Sequence, residues 1–152
     1  GELLDKELPE LDKNNVKVNF IGRLHKLPGY LRRKIKKMEN TTRDNTGLNL
    51  VLAVSYGGRS ELVDAVNKIL KEGLKRVNSK VIFKYLYLPD LPEPDLLIRT
   101  AGELRISNFL LYQIAYTELW FTKVLWPDFR TEHLLLAIKD FQQRIRKFGG
   151  LG

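Results

Sequence analysis

The chain has 152 residues and no cysteine, so it can form neither a disulfide nor a thiolate metal site. Histidine is almost as scarce, and His25 and His133 are too few and too separated to make an imidazole metal site. No run approaches the ~20 apolar residues of a membrane span, and no secretory leader pattern is visible. Internal repeats, low-complexity tracts and a second-domain linker are also absent. What remains is 43% hydrophobic, enough to build one domain (residues 1–152) with a real core. These features are compatible with the cytoplasm. Residue 1 is glycine, which suggests a tagged, processed or truncated product.

Acidic residues are outnumbered, 18 against 26 basic ones, and the net charge is +8. Such a balance favours polyanionic partners: nucleic acid, acidic lipid headgroups or phosphorylated substrates. Much of the excess lies in Arg32-Arg33-Lys34 and Lys36-Lys37. Leu31, Ile35 and Met38 recur there at helical spacing, so an amphipathic helix would bury them and turn the basic groups outward. That outer face is either simply solvated or attracted to anionic lipid at a membrane surface.

In chain order, residues 2–11 carry leucines at helical intervals, and residues 16–21 alternate as a strand ended by Gly22. Pro28 opens the basic helix, which runs to about Asn40. Residues 48–54 form a mostly apolar second strand, expected to be covered on both faces. Tyr56-Gly57-Gly58-Arg59 turns into a helix capped by Ser60, with Leu62, Val63, Val66, Ile69, Leu70 and Leu74 as its buried stripe. A shorter helix is expected over 79–86, a strand over 95–100, a helix around 108–116 and a short strand over 119–121. Trp126-Pro127 is a rigid corner. Thr131 caps a last helix with Leu134, Ile138, Phe141, Ile145 and Phe148 at 4-3-4-3 spacing. The alternation implies an α/β fold, a mostly parallel sheet flanked by helices.

The most informative stretch is 96–109, Leu-Leu-Ile-Arg-Thr-Ala-Gly-Glu-Leu-Arg-Ile-Ser-Asn-Phe. A buried strand breaks at Arg99 into a turn where Gly102 can take positive φ, and Arg105 and Ser107 follow. If Ser107 or Asn108 caps the next helix, two arginines, a hydroxyl and free backbone N–H groups converge past a strand's end. That set suits an anion, most naturally a phosphate. The plainer alternative is that both arginines pair with Glu103 and nearby acids.

Residues 95–109 closely resemble the signature of the cis-prenyltransferases, the family of undecaprenyl and dehydrodolichyl diphosphate synthases. Further likeness lies in Asn45-Thr46-Gly47-Leu48, Tyr56-Gly57-Gly58-Arg59, Gln113, Tyr116, Glu118-Leu119, Phe121, Trp126-Pro127-Asp128-Phe129 and Phe148-Gly149-Gly150, so that the resemblance spans roughly residues 16–150. It implies condensation of isopentenyl diphosphate onto an allylic diphosphate such as farnesyl diphosphate, making new double bonds cis. Arg99, Arg105 and Ser107 match the residues that hold isopentenyl diphosphate, and Glu118 matches a glutamate implicated in binding Mg²⁺. Without the resemblance, Glu118 reads as a salt-bridge partner of a signature arginine. Leu48 matches a position near the floor of the product tunnel, although an apolar strand is core first. Leu104 stands where some bacterial members have a histidine, and Ala101 replaces the usual glycine or serine, a change expected to matter little. Arg59 and Glu61 match a family-typical turn to which no catalytic role attaches.

The family's Asp-Gly-Asn-Gly-Arg-Trp-Ala motif, which cradles the allylic diphosphate and supplies the metal-binding aspartate, does not occur in this sequence. The resemblance therefore implies the C-terminal part of a polyprenyl diphosphate synthase, with no catalytic aspartate of its own. It also implies a homodimer, built through a segment rich in Leu110, Leu111, Tyr112 and Trp120. Two other classes compete. One is a non-catalytic partner subunit of a heteromeric enzyme, which would have no need of intact Arg99, Arg105 and Ser107. The other is a nucleic-acid-binding module, disfavoured because residues 32–37 interleave no aromatic stacking platforms.

Overall fold

The computed structural model describes residues 2–146, which form two compact units, Gly1–Pro89 and Asp90–Gly152. Both are α/β, and the strands within each pair in parallel. Gly1, Phe148, Gly149 and Gly150 lie outside the described residues.

The first unit contains α1 (Glu2–Lys13), β1 (Lys17–Ile21), α2 (Gly29–Thr41), β2 (Asn49–Ala53), α3 (Gly58–Lys71) and α4 (Ser79–Tyr85). β1 and β2 align from Lys17 opposite Asn49 to Ile21 opposite Ala53. Strand alternation sends Val18, Phe20, Leu50 and Leu52 into one cluster with Leu8, Ile35 and Met38 of the covering helices. α2 turns Leu31, Ile35 and Met38 inward, as its spacing predicts. It also closes the free edge of β1. The outward N–H of Val18 donates to Thr42 Oγ1 at 3.0 Å, and that of Phe20 to Glu39 Oε1 at 3.0 Å. Thr42 is fully buried and donates its own proton to the Met38 carbonyl at 2.9 Å. An edge strand whose donors are taken cannot recruit another chain there. At the end of β1, Gly22 sits at φ +116°, and a Cβ would fall 2.1 Å from the Val54 carbonyl oxygen, so only glycine fits.

Two expectations for this unit fail. β2 is not covered on both faces: Asn49 and Ala53 are exposed, because only Leu50, Leu52 and Val54 face the helices. α3 begins at Gly58 after Gly57 as N-cap, which leaves Ser60 inside the first turn rather than capping it. The buried face of α3 is Gly58, Glu61, Ala65 and Ile69, a 3-4-4 row rotated from the expected stripe, and Val63, Val66 and Leu70 are exposed.

The rotation follows from Glu61. Its carboxylate is buried and accepts from the Tyr56 hydroxyl at 2.5 Å and the Tyr87 N–H at 2.9 Å. A buried carboxylate costs far more to leave unpaired than an exposed valine, so its partners set the face. Three residues on, Asp64 accepts from both Arg23 Nε (3.1 Å) and Nη2 (2.8 Å) and from the Tyr87 hydroxyl (2.6 Å). The bonded guanidinium holds the Asp64 carboxyl below its ordinary value. Burial, reinforced by Asp64, pushes the Tyr87 phenol up to about 12.

The second unit contains β3 (Leu96–Arg99), β4 (Glu118–Phe121) and α5 (Thr131–Gln142). A single 3₁₀ turn, Trp126–Asp128, makes the expected corner, with Trp126 stacked on Phe129. The helix expected around 108–116 does not form. Ser107, Asn108 and Leu110 have φ of 47°, 64° and 46°, and left-handed residues so closely spaced interrupt any right-handed run. The segment is instead a chain of turns, closed by bonds such as Ile114 N–H to the Leu110 carbonyl at 3.1 Å. α5 has Arg130 as N-cap, with Thr131 as its first helical residue, and His133 Nδ1 accepts the Arg130 N–H at 3.0 Å. Ala137 is its buried residue, while Leu134 and Ile138 are partly exposed and Ile145, beyond the helix, is 87% exposed.

Thr42→Val keeps the shape of that side chain but leaves the Val18 donor buried and unpaired. It should lower the unfolding free energy by ~1–3 kcal/mol in urea titration, whereas Lys36→Ala on the exposed face should stay within about 0.5 kcal/mol.

The Asp64 cluster gives stability opposite limits at the two ends of the pH scale. Asp64 contributes above its ordinary value, and that contribution is lost as pH falls through its lowered one; Tyr87 contributes below pH ~10 and loses its contribution as pH rises through about 12. Tyr87→Phe should remove the alkaline loss, and Asp64→Asn should flatten the acid one, both read from urea midpoints across pH.

Candidate anion-binding site

β3 ends at Arg99, opposite Phe121 of β4. The ladder continues beyond the strands: Thr122 N–H donates to the Arg99 carbonyl at 2.9 Å, and Ala101 and Gly102 N–H donate to the Val124 and Thr122 carbonyls, both at 2.8 Å. To make these bonds the chain passes through left-handed backbone at Ala101 (φ 67°) and Gly102 (φ 71°). Glycine carries this without cost, but the Ala101 Cβ does not, at ~1–2 kcal/mol. The glycine-to-alanine difference noted in the sequence is therefore a strained position, not a neutral one.

This turn frames a pocket of about 340 Å³. Arg99, Thr100 and Glu103 give it polar lining, and Leu97, Ile98, Ile106 and Phe109 give it apolar lining. Arg99 has no ion-pair partner among the described residues. Arg105 realises the plainer reading, since its exposed guanidinium pairs with Glu103. Ser107 is exposed on the following turns at φ 47°, with no helix N-terminus behind it. The structure thus brings Arg99 into the pocket, ties Arg105 to the pocket-lining Glu103, and leaves Ser107 further along the loop.

Glu118 is not part of this group. It pairs in register with Leu96, three residues and ~10 Å back along the strands from Arg99. Its carboxylate accepts from Arg144 at 2.9 Å; the same guanidinium donates to the Leu119 carbonyl at 3.0 Å and pairs with Asp140. These carboxylates hold the Arg144 pKa above its ordinary value. Nearby, Arg146 pairs with Asp95. The salt-bridge alternative for Glu118 is therefore realised, though with Arg144 rather than a signature arginine. No group of three His, Asp or Glu side chains lies together among the described residues. A glutamate already matched to an arginine, with no further acid cluster, does not by itself fit Mg²⁺. Leu48 lies in the other unit just before β2, where its carbonyl accepts the Lys17 N–H at 2.9 Å and its side chain is 67% exposed.

Sequence reasoning offered Glu103 as a partner of Arg105, which the structure bears out, but it missed Arg144 as the partner of Glu118. The i,i+4 spacing of Asp140 and Arg144 was a legible signal for half of that bridge. Its reach to Glu118 was not.

Comparison with known proteins decides the family. A family model described as "Putative undecaprenyl diphosphate synthase" matches residues 1–149. The chain belongs to that family. Within it, an isoprenyl transferase of Bacillus cereus is 50% identical over 99% of the chain, and one of Thermotoga maritima is 45% identical over 99%. The chain spans 60% of the length of the first and 66% of the second. Among solved structures, a probable undecaprenyl diphosphate synthase from Campylobacter jejuni matches with TM-score 0.90 at 35% identity, over 98% of this chain and 70% of that one. Lavandulyl diphosphate synthase from Lavandula x intermedia, in complex with dimethylallyl diphosphate, matches with TM-score 0.92 at 35% identity, over 98% and 67%. The undecaprenyl diphosphate synthase family thus has the α/β architecture seen here.

Because Arg99 and Arg105 serve no buried network, Arg99→Ala and Arg105→Ala should each move the unfolding free energy by no more than ~0.5–1 kcal/mol. Ala101→Gly should be neutral or stabilising by up to ~1 kcal/mol, as relief of the left-handed strain offsets the added chain entropy. Thermal and urea midpoints check both.

Proposed function

We propose that this chain carries the isopentenyl diphosphate half of a polyprenyl (undecaprenyl-type) diphosphate synthase, one catalytic domain that extends an allylic diphosphate with cis stereochemistry. The observation that carries this reading is Arg99, a guanidinium with no ion-pair partner among the described residues, beside Leu97, Ile98, Ile106 and Phe109 in a pocket of about 340 Å³. A small molecule with a diphosphate at one end and a short branched hydrocarbon at the other needs that pairing of forked donor and apolar wall. Arginine keeps its charge at any working pH and reaches two phosphate oxygens at once. Arg105 adds a second fork when the ligand's charge competes with Glu103, and Ser107 supplies a hydroxyl from the loop. Arg99 in a pocket, with no ion-pair partner among the described residues, also favours this reading over a non-catalytic partner subunit, which has no need of a substrate site.

The rest of the proposal goes beyond this pocket. The allylic substrate, such as farnesyl diphosphate, is held by the Gly-rich motif that the resemblance implies and these residues lack, so this stretch alone condenses nothing. Mg²⁺ serves the complete enzyme, and Glu118 contributes only if Arg144 gives it up. Leu48 lines the product tunnel. The protein is a homodimer, and its product is a carrier lipid for cell-wall assembly.

In the complete enzyme, Arg99→Lys and Arg105→Ala should each lower kcat/KM for isopentenyl diphosphate by roughly ten- to hundredfold, since a charge-assisted hydrogen bond is worth ~1.5–3 kcal/mol. The assay is incorporation of labelled isopentenyl diphosphate into butanol-extractable product with farnesyl diphosphate and Mg²⁺. Wild-type kinetics in both variants would remove the diphosphate assignment.

A further inference from the structure

The outer face of α2 has no part in the pocket just described, and it is the most concentrated charge in the chain. Arg32, Arg33, Lys36 and Lys37 are all exposed and together equal half of the net charge of +8. At 100° per residue they share one arc with Tyr30 and Asn40, opposite the inward Leu31, Ile35 and Met38. None of the four has an ion-pair partner among the described residues. The usual sources of compensation are engaged elsewhere. Glu39 is the only acid on the helix, and it is turned inward to accept the Phe20 N–H at 3.0 Å. Asp5, on the adjoining α1, forms its ion pair with Lys34, and that hydrogen bond together with the nearby charge of Lys37 holds its carboxyl below the ordinary value. Four like charges within about one and a half turns repel each other by a few tenths of a kcal/mol per pair, and the helix keeps them without a balancing carboxylate.

We propose that this face of α2 is an electrostatic docking surface for a bilayer rich in anionic phospholipid. Laterally mobile headgroups can gather under a fixed cluster of charges ~8 Å long. A nucleic acid would need phosphates at set spacing or aromatic platforms among the basic groups, and residues 32–37 contain no aromatic. Tyr30 is 53% exposed at the leading end of the same arc, where a phenol suits the headgroup level, with its ring toward the lipid and its hydroxyl in water. The choice of lipid over nucleic acid rests in part on the proposed function, because a product of many isoprene units must leave the protein for a membrane. Docking through α2 would bring the enzyme to the phase that accepts that product.

The test is sedimentation of the full chain with sucrose-loaded vesicles of phosphatidylcholine alone or with phosphatidylglycerol, at 50 and 500 mM salt and without substrate. Binding is expected only with phosphatidylglycerol and should weaken strongly with salt, because exposed charges are screened beyond a Debye length of ~10 Å at 0.1 M. Each charge removed should cost about fivefold, and R32A/R33A/K36A/K37A several hundredfold. The exchange variant R32K/R33K/K36R/K37R, which preserves every charge, should bind like wild type and guards against a loss caused by misfolding. Undiminished binding by the folded quadruple alanine variant would overturn the proposal. So would equal binding to neutral vesicles, or tighter binding to duplex DNA or single-stranded RNA than to anionic vesicles at the same salt. Isopentenyl diphosphate incorporation is measured separately, in the complete enzyme: its failure there would count against the enzymatic reading, while vesicle binding alone decides the role of α2.

Discussion

The candidate site depends on the parallel pairing of β3 with β4 and on its continuation past the last strand residues. Arg99 is the end of β3, and without a neighbouring strand its side chain would have no fixed direction. The bonds from Thr122, Ala101 and Gly102 carry the ladder around the corner and set the turn that frames the pocket. The same bonds force Ala101 into left-handed backbone. Strain is tolerated there because three main-chain hydrogen bonds over-determine the turn, a balance that recurs where backbone must present a side chain to a ligand.

Much of this was legible in the sequence, for identifiable reasons. β1, α2, β3, β4 and α4 fell close to their expected places because their periodicity and breakers agree: Gly22 and Pro28 bracket the crossover between β1 and α2, and proline precedes β3. The failures came where a local pattern was overruled, in α3 by a partner distant in sequence and after the signature by the backbone itself. The apolar row of α3 read as its buried face, but Glu61 had to meet Tyr56 and the Tyr87 backbone, and burying that carboxylate rotated the helix. The segment after the signature had helical composition, yet its left-handed residues at Ser107, Asn108 and Leu110 gave it turns. In the site, residue identity revealed Arg99 and Arg105, and geometry then separated them. One faces the pocket with no ion-pair partner among the described residues, and the other is tethered to Glu103.

The unit Gly1–Pro89 shows how polar groups specify an otherwise generic βαβ core. Thr42 and Glu39 close the β1 edge from α2, and Asp64 draws Arg23 and Tyr87 together from distant parts of the chain. Each of these groups is matched to its partners. The outer face of α2 differs, since Arg32, Arg33, Lys36 and Lys37 have no ion-pair partner among the described residues.

The two arginines that follow α5 bear on the order in which the protein is made. Arg144 binds Glu118 and the Leu119 carbonyl, and Arg146 binds Asp95, so the beginning of both β3 and β4 is held by residues far later in the chain. On the ribosome β3 and β4 can meet early, but these clasps wait until residue 146 has emerged. Until then the strands' start lacks those two ion pairs, and Glu118 and Asp95 are solvated acids. The core around Leu8, Val18 and Met38 has no such wait, because all its residues lie within the first unit. Synthesis from the N-terminus therefore completes the helix-covered βαβ core first and the strand pair carrying Arg99 last.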